Sequence, residues 1–233
     1  MANEEFEIKR RVWAYVLTGL AAVIAAAGSA VAFVYALYGA GAAAAAISVL
    51  LLLCLAGEIV QDNYCQKCEE LFSARKFDEE FAYLGKIKGN HLLFPFMRER
   101  FYIIAIRNAL ARDDLALARS YIARLRHVDA RYRYGEEKGI KYKTAYAYIL
   151  ILLDEGKKDE ARTEYEDFRI NNEHYAIYKP QIEVLNALFA RLFSKHDAPL
   201  PEAAVDSPYP VLKRILGRHF EENSAMSSED WNE

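Results

Sequence analysis

The dominant feature of the hydrophobic pattern is an uncharged block near the start of the chain. From Val12 to Gly57, 46 consecutive residues include no Asp, Glu, Lys, Arg or His. A single helix of that length would be about 69 Å long, more than twice the roughly 30 Å hydrocarbon core of a bilayer. Gly39 and Gly41 permit a tight turn within the block. The block therefore predicts a transmembrane helical hairpin over residues 12–60, with its turn near residues 38–41.

Beyond the hairpin, apolar residues recur at the period of an α-helix. Ala118, Tyr121, Ile122 and Leu125, for example, share one helical face. We predict helices over residues 58–74, 76–88, 94–111, 114–128, 138–155, 157–170, 178–195 and 209–221. The first of these extends the second membrane span outward as a stalk, and the chain is expected to be all-α.

Three breaks between the predicted helices have similar sequences. They are Arg75-Lys76-Phe77-Asp78-Glu79-Glu80, Asp113-Asp114-Leu115-Ala116-Leu117-Ala118 and Gly156-Lys157-Lys158-Asp159-Glu160-Ala161. These breaks resemble the inter-helix turn of tetratricopeptide repeats (TPRs), although their last residues are 38 and 43 positions apart rather than about 34. Glu80 also replaces the small residue usual in that family. Over residues 64–196, the resemblance implies a TPR-like α-solenoid of antiparallel helix pairs with a concave, usually peptide-binding face.

These patterns divide the chain into six segments. They are a cytoplasmic N-terminal segment (1–11), the transmembrane hairpin (12–60), a TPR-like helical domain (61–196), a Pro-rich linker (197–208), a C-terminal helix (209–221) and an acidic tail (222–233). The tail is predicted to be disordered, because from Glu221 onward it has five acidic residues and no basic ones. Trp231, a lone aromatic residue in this tail, is a candidate linear motif or could dock on the protein's own basic surface; the alternative is a disordered end with no role.

The charges that flank the block predict its orientation. Lys9, Arg10 and Arg11 adjoin the first span, whereas the loop between the spans carries no charge. The positive-inside rule then places the N-terminus, and after two crossings the C-terminal domain, in the cytoplasm. A signal peptide cleaved near Ala30-Val31-Ala32 is the competing interpretation, and the second span would still anchor the domain. We expect an integral protein of a bacterial inner or cell membrane.

Basic residues are concentrated in the middle of the chain. Residues 86–143 hold 14 basic and 6 acidic side chains, whereas residues 144–206 hold 7 basic and 12 acidic ones. Arg forks pair with carboxylates or phosphates, and Tyr rings stack on bases or pack on peptides. The candidate partner-binding residues are Arg119, Arg124, Arg126, Arg131, Tyr132, Arg133, Tyr134, Tyr142 and Tyr146. This region is a solvated surface, or it binds an acidic protein or peptide segment, or lipid headgroups. Nucleic acid ranks last because the chain has a net charge of -3 and no recognised module.

One short motif raises the question of chemistry. Cys65 and Cys68 are spaced as in metal or redox motifs, but zinc requires four ligands and the sequence offers no second pair. We interpret them as reduced residues of the stalk, with a redox or interchain role as the alternative. The five histidines show no metal or triad spacing. We therefore predict no enzyme activity, no catalytic residue, no metal and no cofactor.

The expected function is that of a membrane-anchored scaffold or adaptor. Its helical-repeat surface, centred on residues 119–148, would bind a partner protein at the bilayer. The alternative is an accessory subunit of a membrane complex for transport, secretion or division. Such a subunit would form a homo- or hetero-oligomer through the small residues of its hairpin.

Overall fold

The part of the chain that the structure describes is helical, with short connections and no strand. This computed structural model describes residues 2–35, 37–87, 95–131, 137–194 and 200–218. Its helices are α1 (Ala2–Val34), α2 (Tyr38–Ser73), α3 (Phe77–Leu84), α4 (Pro95–Ala111), α5 (Leu115–Arg131), α6 (Glu137–Asp154), α7 (Lys158–Asn172), α8 (Lys179–Ser194), α9 (Glu202–Val205) and α10 (210–218). A 3-10 turn, Ala176–Tyr178, precedes α8. The predicted all-α class is confirmed.

Helices α1 and α2 form an antiparallel hairpin that is held by small residues. The Ser29 hydroxyl donates to the Gly41 carbonyl at 2.8 Å, and the Ser48 hydroxyl donates to the Ala22 carbonyl at 2.9 Å. All four residues are buried in the helix–helix contact. Small side chains let the two backbones approach closely enough for these serine bonds to form.

The break between the two helices lies before the predicted turn. Helix α2 begins at Tyr38, so the chain reverses before that residue, and Gly39 and Gly41 belong to the first turn of the helix. A Cβ on Gly41 would lie 3.1 Å from the ring of Phe33. Gly41 therefore allows the helices to pack closely, and it is not needed for a positive φ angle in the loop.

Both hairpin helices have the length and hydropathy of membrane spans. The stretches Tyr15–Val34 and Tyr38–Ser73 are each apolar enough to cross a bilayer. Their large apolar side chains point away from the helix–helix contact, as at Val23 and Leu53, which are 65% and 64% exposed. An isolated soluble hairpin would leave this apolar surface in water.

Helix α2 continues without a break from the hairpin into the rest of the fold. Its last turns bury Cys65, Cys68 and Leu71, and the two cysteines belong to the main core. On its polar side, Asp62 and Glu69 both bind the Arg100 guanidinium of α4, with Glu69 at 3.0 Å. This confirms the uninterrupted helix predicted over residues 58–74, which also serves as the first helix of the following stack.

The three breaks with similar sequences fold into the same turn. Arg75, Asp113 and Gly156 adopt left-handed φ angles of 57°, 60° and 76°. In each turn the amide of this residue donates to the carbonyl three residues earlier, and the next amide donates to the carbonyl five residues earlier. This is the Schellman motif, which satisfies the last carbonyls of a helix and reverses the chain.

The turns join three antiparallel helix pairs, α2–α3, α4–α5 and α6–α7. The residue five positions after each left-handed residue (Glu80, Ala118 or Ala161) is fully buried between the paired helices. The pairs pack one after another, since α4 contacts both α2 and α3, and α6 contacts both α4 and α5. We call α2, α4 and α6 the first layer, and α3, α5 and α7 the second layer.

The boundaries predicted for the helices after α2 agree with the described ones to within four residues. The largest difference is at the end of α3, which stops at Leu84 rather than at residue 88. The short helix α9 lies inside the predicted linker 197–208, where the sequence pattern predicts no helix. The acidic tail 222–233 and residues 219–221 of the predicted last helix lie outside the described residues.

Replacing Gly156 by Ala should destabilise the stack by about 1–2 kcal/mol, the cost of a left-handed angle for an L-residue. A Cβ there would meet no atom within 4 Å, so the cost is conformational and not steric. The measurement is chemical unfolding of the full chain in detergent micelles.

Gly217→Ala is the matched control for this prediction, since its Cβ also enters open space but its helical φ angle suits Ala. We expect it to stabilise α10 by up to about 1 kcal/mol. Equal effects of the two substitutions would contradict the assignment of the turn.

Candidate functional site

The end of the described chain lies across the first layer. Residues 206–218, which we call the C-terminal segment, contact α2, α6 and the turns that follow α2 and α4. Val211, Leu212 and Ile215 of this segment are buried in the main core. Pro210 occupies the first turn of α10, where its missing amide proton is not needed. We call the surface that the segment covers the docking face.

An aromatic side chain anchors the start of the segment. The Tyr209 ring lies between Phe72 of α2 and Tyr146 of α6, with ring centroids 6.5 Å and 6.3 Å away. Burial raises the pKa of the Tyr209 phenol to about 12, and the nearby Glu80 adds to this effect while Arg107 opposes it. The phenol therefore stays protonated well into the alkaline range and acts as a packed, uncharged anchor.

A charged contact fixes the other end of the segment. The Arg214 guanidinium binds Asp113 through two hydrogen bonds of 2.6 Å and 3.0 Å, and its Nε donates to Asp154 at 3.0 Å. These bonds raise the pKa of Arg214 further, with Asp154 the larger cause. Arg218 adds a contact of 3.2 Å to Asp154. Two units of the stack thus supply carboxylates to one Arg, a geometry that Lys cannot reproduce.

The first turn of the stack also holds the segment. Arg75, the left-handed residue of that turn, donates from Nη2 to the Asp206 carbonyl at 3.2 Å. Two left-handed residues, Arg75 and Asp113, therefore contact the C-terminal segment directly through their side chains. Glycine at either position would fit the backbone better but would lose this contact.

A buried polar cluster lies next to the aromatic anchor. Glu80 is fully buried and accepts a 2.7 Å hydrogen bond from the Asn108 amide, which also donates to the Phe77 carbonyl at 2.8 Å. The second Glu80 oxygen makes no hydrogen bond and lies 3.9 Å from Arg107. Arg107 covers the Phe72 ring at 3.9 Å. Burial raises the pKa of Glu80, although Asn108 and Arg107 act in the opposite direction.

The arginines of the predicted partner-binding region are partly engaged within the chain. Arg119 pairs with Glu155 at 2.7 Å, and Arg126 lies over the Tyr148 ring at 4.5 Å. Arg124 is exposed on α5. The side chain of Arg131, the residues Tyr132, Arg133 and Tyr134, and Trp231 of the tail lie outside the described residues.

The neighbouring lysines and tyrosines of this region are also packed into the stack. Lys141 binds Asp167 at 2.7 Å, and Lys143 binds Glu99. Tyr142 is buried with its ring 6.4 Å from Phe168, and Tyr146 packs on Tyr209. Of the predicted tyrosines with described side chains, Tyr146 is therefore the one that contacts the C-terminal segment.

The two stalk cysteines face the core. Cys65 and Cys68 are 1% and 0% exposed, and the Cys68 thiol points at the Glu80 carbonyl, 3.9 Å away. Within the described ranges, no group of three or more His, Cys, Asp or Glu residues is arranged to hold a metal ion. Buried thiols of this kind act as small apolar side chains.

Comparisons with protein-family models, curated proteins and solved structures found no match to this chain.

Sequence reasoning misses four residues of this site: Asp113, Asp154, Tyr209 and Arg214. The pair Asp113-Asp114 resembles a helix cap in the sequence. Asp114 does cap α5, since it accepts a hydrogen bond from the Leu117 amide at 3.0 Å, while Asp113 binds the C-terminal segment. The apolar stripe formed by Val211, Leu212, Ile215 and Leu216 is a sequence signal that could have indicated a buried last helix.

Glu80→Gln should make the protein less sensitive to alkaline pH. A carboxyl whose pKa is higher in the folded state than in the unfolded state loses stability as pH rises from about 4.5 through the folded pKa. The glutamine side chain cannot ionise, but it keeps a similar shape and can still accept a bond from Asn108. We therefore expect the difference in melting temperature, variant minus native, to increase as pH rises above about 4.5 and to level off once the pH exceeds the folded pKa of Glu80.

The control is Glu79→Gln, since Glu79 is 58% exposed in its ion pair with Lys76. The difference in melting temperature between this variant and the native protein should vary little with pH, because an exposed ion pair contributes little to stability. If Glu80→Gln behaves in the same way, Glu80 does not carry a raised pKa.

Proposed function

We propose that the protein is a membrane-anchored interaction scaffold or adaptor that binds a helical segment of a partner on its docking face. The hairpin crosses a bacterial-type cell membrane, and both termini lie in the cytoplasm. The exposed apolar surface of the hairpin and the basic cluster Lys9, Arg10 and Arg11 support this arrangement. The C-terminal segment on the docking face is the observation that carries the binding proposal.

The repeated turn supports a TPR-like architecture for the soluble part. Three Schellman turns with equivalent hydrogen bonds join three helix pairs, and the same position after each turn is buried. Helix pairs that repeat in this way form extended surfaces from their first helices. The docking face is such a surface, because it is built from α2, α6 and the turn that follows α4.

The segment on the docking face shows what kind of ligand fits there. It combines an aromatic anchor (Tyr209), a buried aliphatic stripe (Leu212 and Ile215) and a basic residue (Arg214) that two carboxylates bind. We infer that a partner presents an amphipathic helix with the same spacing of aromatic, aliphatic and basic side chains. A helix of this kind would replace the C-terminal segment on the docking face.

The charges of the docking face favour a basic partner helix. Asp113 and Asp154 are its specific charged groups, and they select a guanidinium. The expectation of an acidic partner depended on free cations around residues 119–148. Arg119, Lys141 and Lys143 of that region form ion pairs within the stack, so they are less available to attract acidic groups.

A Leu212→Asp substitution should open the docking face. Leu212 is fully buried, and placing a carboxylate there costs several kcal/mol, which undocks the segment. A fluorescent synthetic peptide of residues 206–218 should then bind the full-length variant in detergent at least about tenfold more tightly than it binds the native chain. Fluorescence anisotropy gives both dissociation constants.

Lys213→Asp is the matched control, because Lys213 is the neighbouring residue and is exposed. The Lys213→Asp variant should bind the peptide with the same dissociation constant as the native chain. Circular dichroism verifies that the Leu212→Asp variant remains folded, and Arg214→Ala provides a milder opening. Failure of both folded variants to bind the peptide would rule out the docking face as a helix-binding site.

In native membranes, a photo-crosslinking amino acid at Ser73 should capture a partner protein, and the yield should rise in the Leu212→Asp background. Ser73 is exposed and directly follows Phe72 of the docking face. The same amino acid at Val23 or Leu53, on the exposed surface of the hairpin, reports contacts inside the bilayer. Capture only from these two hairpin positions would favour the accessory-subunit function instead.

A further inference from the structure

Three large apolar side chains are exposed at one end of the stack. Ile170 in the last turn of α7, and Tyr175 and Ile177 in the connection to α8, are 64%, 50% and 46% exposed. Tyr178 beside them is buried and meets the Tyr175 ring edge-on, with centroids 6.4 Å apart, which holds the connection in place. Apolar side chains grouped on the surface of a soluble domain indicate a contact with another apolar phase or partner.

The direction of the helices places this group at the membrane side of the stack. Helix α2 runs from the hairpin toward the Schellman turn at Arg75, so the three similar turns lie at the end away from the bilayer. Helix α7 begins at one of these turns and runs back in the opposite direction. Its last residue, Asn172, and the connection that follows therefore lie at the end nearest the hairpin.

Side-chain contacts between neighbouring helices show which residues of α2 are level with the end of α7. Arg100 of α4 reaches both Asp62 and Glu69 of α2, so it lies between their levels. Two further ion pairs relate this level to the next helices. Glu99 of α4 pairs with Lys143 of α6, and Lys141 of α6 pairs with Asp167 of α7. Asp167 therefore lies near the level of residue 65 in α2.

From that level, α7 continues five residues toward the hairpin, which is about 7.5 Å at 1.5 Å per residue. The connection with Tyr175 and Ile177 then lies near the level of residue 60 in α2. If the hydrocarbon core begins at Tyr38, about 20 residues cross its roughly 30 Å, so the core ends near Gly57. The connection is thus level with the boundary between lipid headgroups and acyl chains.

We propose that Ile170, Tyr175 and Ile177 form a second, peripheral contact with the bilayer that the hairpin crosses. The apolar groups would insert at the headgroup boundary, where Tyr is a favoured residue, and the exposed Arg169 and Lys179 flank them. Glu173 is exposed at the same end, so the contact depends on apolar insertion more than on charge. This inference depends on the proposed hairpin anchor. The stack would then be attached to the bilayer at two points, with the docking face on the side facing the cytoplasm.

The test uses the full chain in vesicles of phosphatidylcholine and phosphatidylglycerol that contain nitroxide-labelled lipids. In a Cys54→Ala background, Ile177→Cys receives an environment-sensitive fluorophore, while the buried Cys65 and Cys68 remain unlabelled in the folded protein. We expect the fluorophore at position 177 to lose about half of its intensity to quenching near the headgroup boundary. Ile170→Cys serves as a second position if the first variant does not fold.

Val205→Cys is the matched control, since Val205 is 63% exposed but lies one residue before the C-terminal segment, at the far end of the stack. Its fluorophore should not be quenched. Equal quenching at positions 177 and 205, or none at either, would overturn the peripheral contact. Leu53→Cys distinguishes failure of the peripheral contact from failure of the hairpin anchor. Quenching at position 53 but not at 177 or 170 rejects the peripheral contact alone. No quenching at position 53 rejects the hairpin anchor as well.

Discussion

One uninterrupted helix links the apolar hairpin to the helical stack. Helix α2 has 36 residues and is about 54 Å long. Most of its first 20 residues are exposed and apolar or small, whereas its last turns are buried in the stack. A helix of this length bends only gently. The direction in which it leaves the hairpin therefore sets the orientation of every helix pair that packs on it. The three turns point away from the hairpin, and α3, α5 and α7 run back toward it.

The same Schellman turn is built from three different residues, and the differences follow the contacts of the C-terminal segment. Gly156 adopts the left-handed angle without a steric cost, whereas Arg75 and Asp113 each carry about 1–2 kcal/mol of strain. Arg75 and Asp113 are also the two turn residues whose side chains bind the segment, at Asp206 and Arg214. Their strain is offset by contacts that glycine could not make. The turns therefore serve both the stacking of the helix pairs and the docking of the last helix.

The sequence predicted the helices well because their signals are local. Apolar periodicity and the three similar breaks depend on residues within one or two turns of each other. The site depended on contacts between distant residues, which no local pattern contains. Arg119 and Glu155 are 36 residues apart, and Arg214 and Asp113 are 101 apart, so the excess of basic residues in 86–143 overstated the number of free cations. Gly41 was similarly ambiguous, since a glycine that permits close packing looks the same in the sequence as one that permits a turn.

The position of the C-terminal segment sets a condition on any partner. Eleven residues, 195–205, join the C-terminal segment to α8, and short tethers give effective concentrations of the order of millimolar. A partner helix of equal affinity at about micromolar concentration would lose this competition by roughly a thousandfold. Under the proposed function, confinement of both proteins to one membrane would raise the local concentration of the partner and reduce that disadvantage. A docking face covered by its own chain would then suit partners on the same membrane best, which would link the proposed anchor to the selectivity of binding.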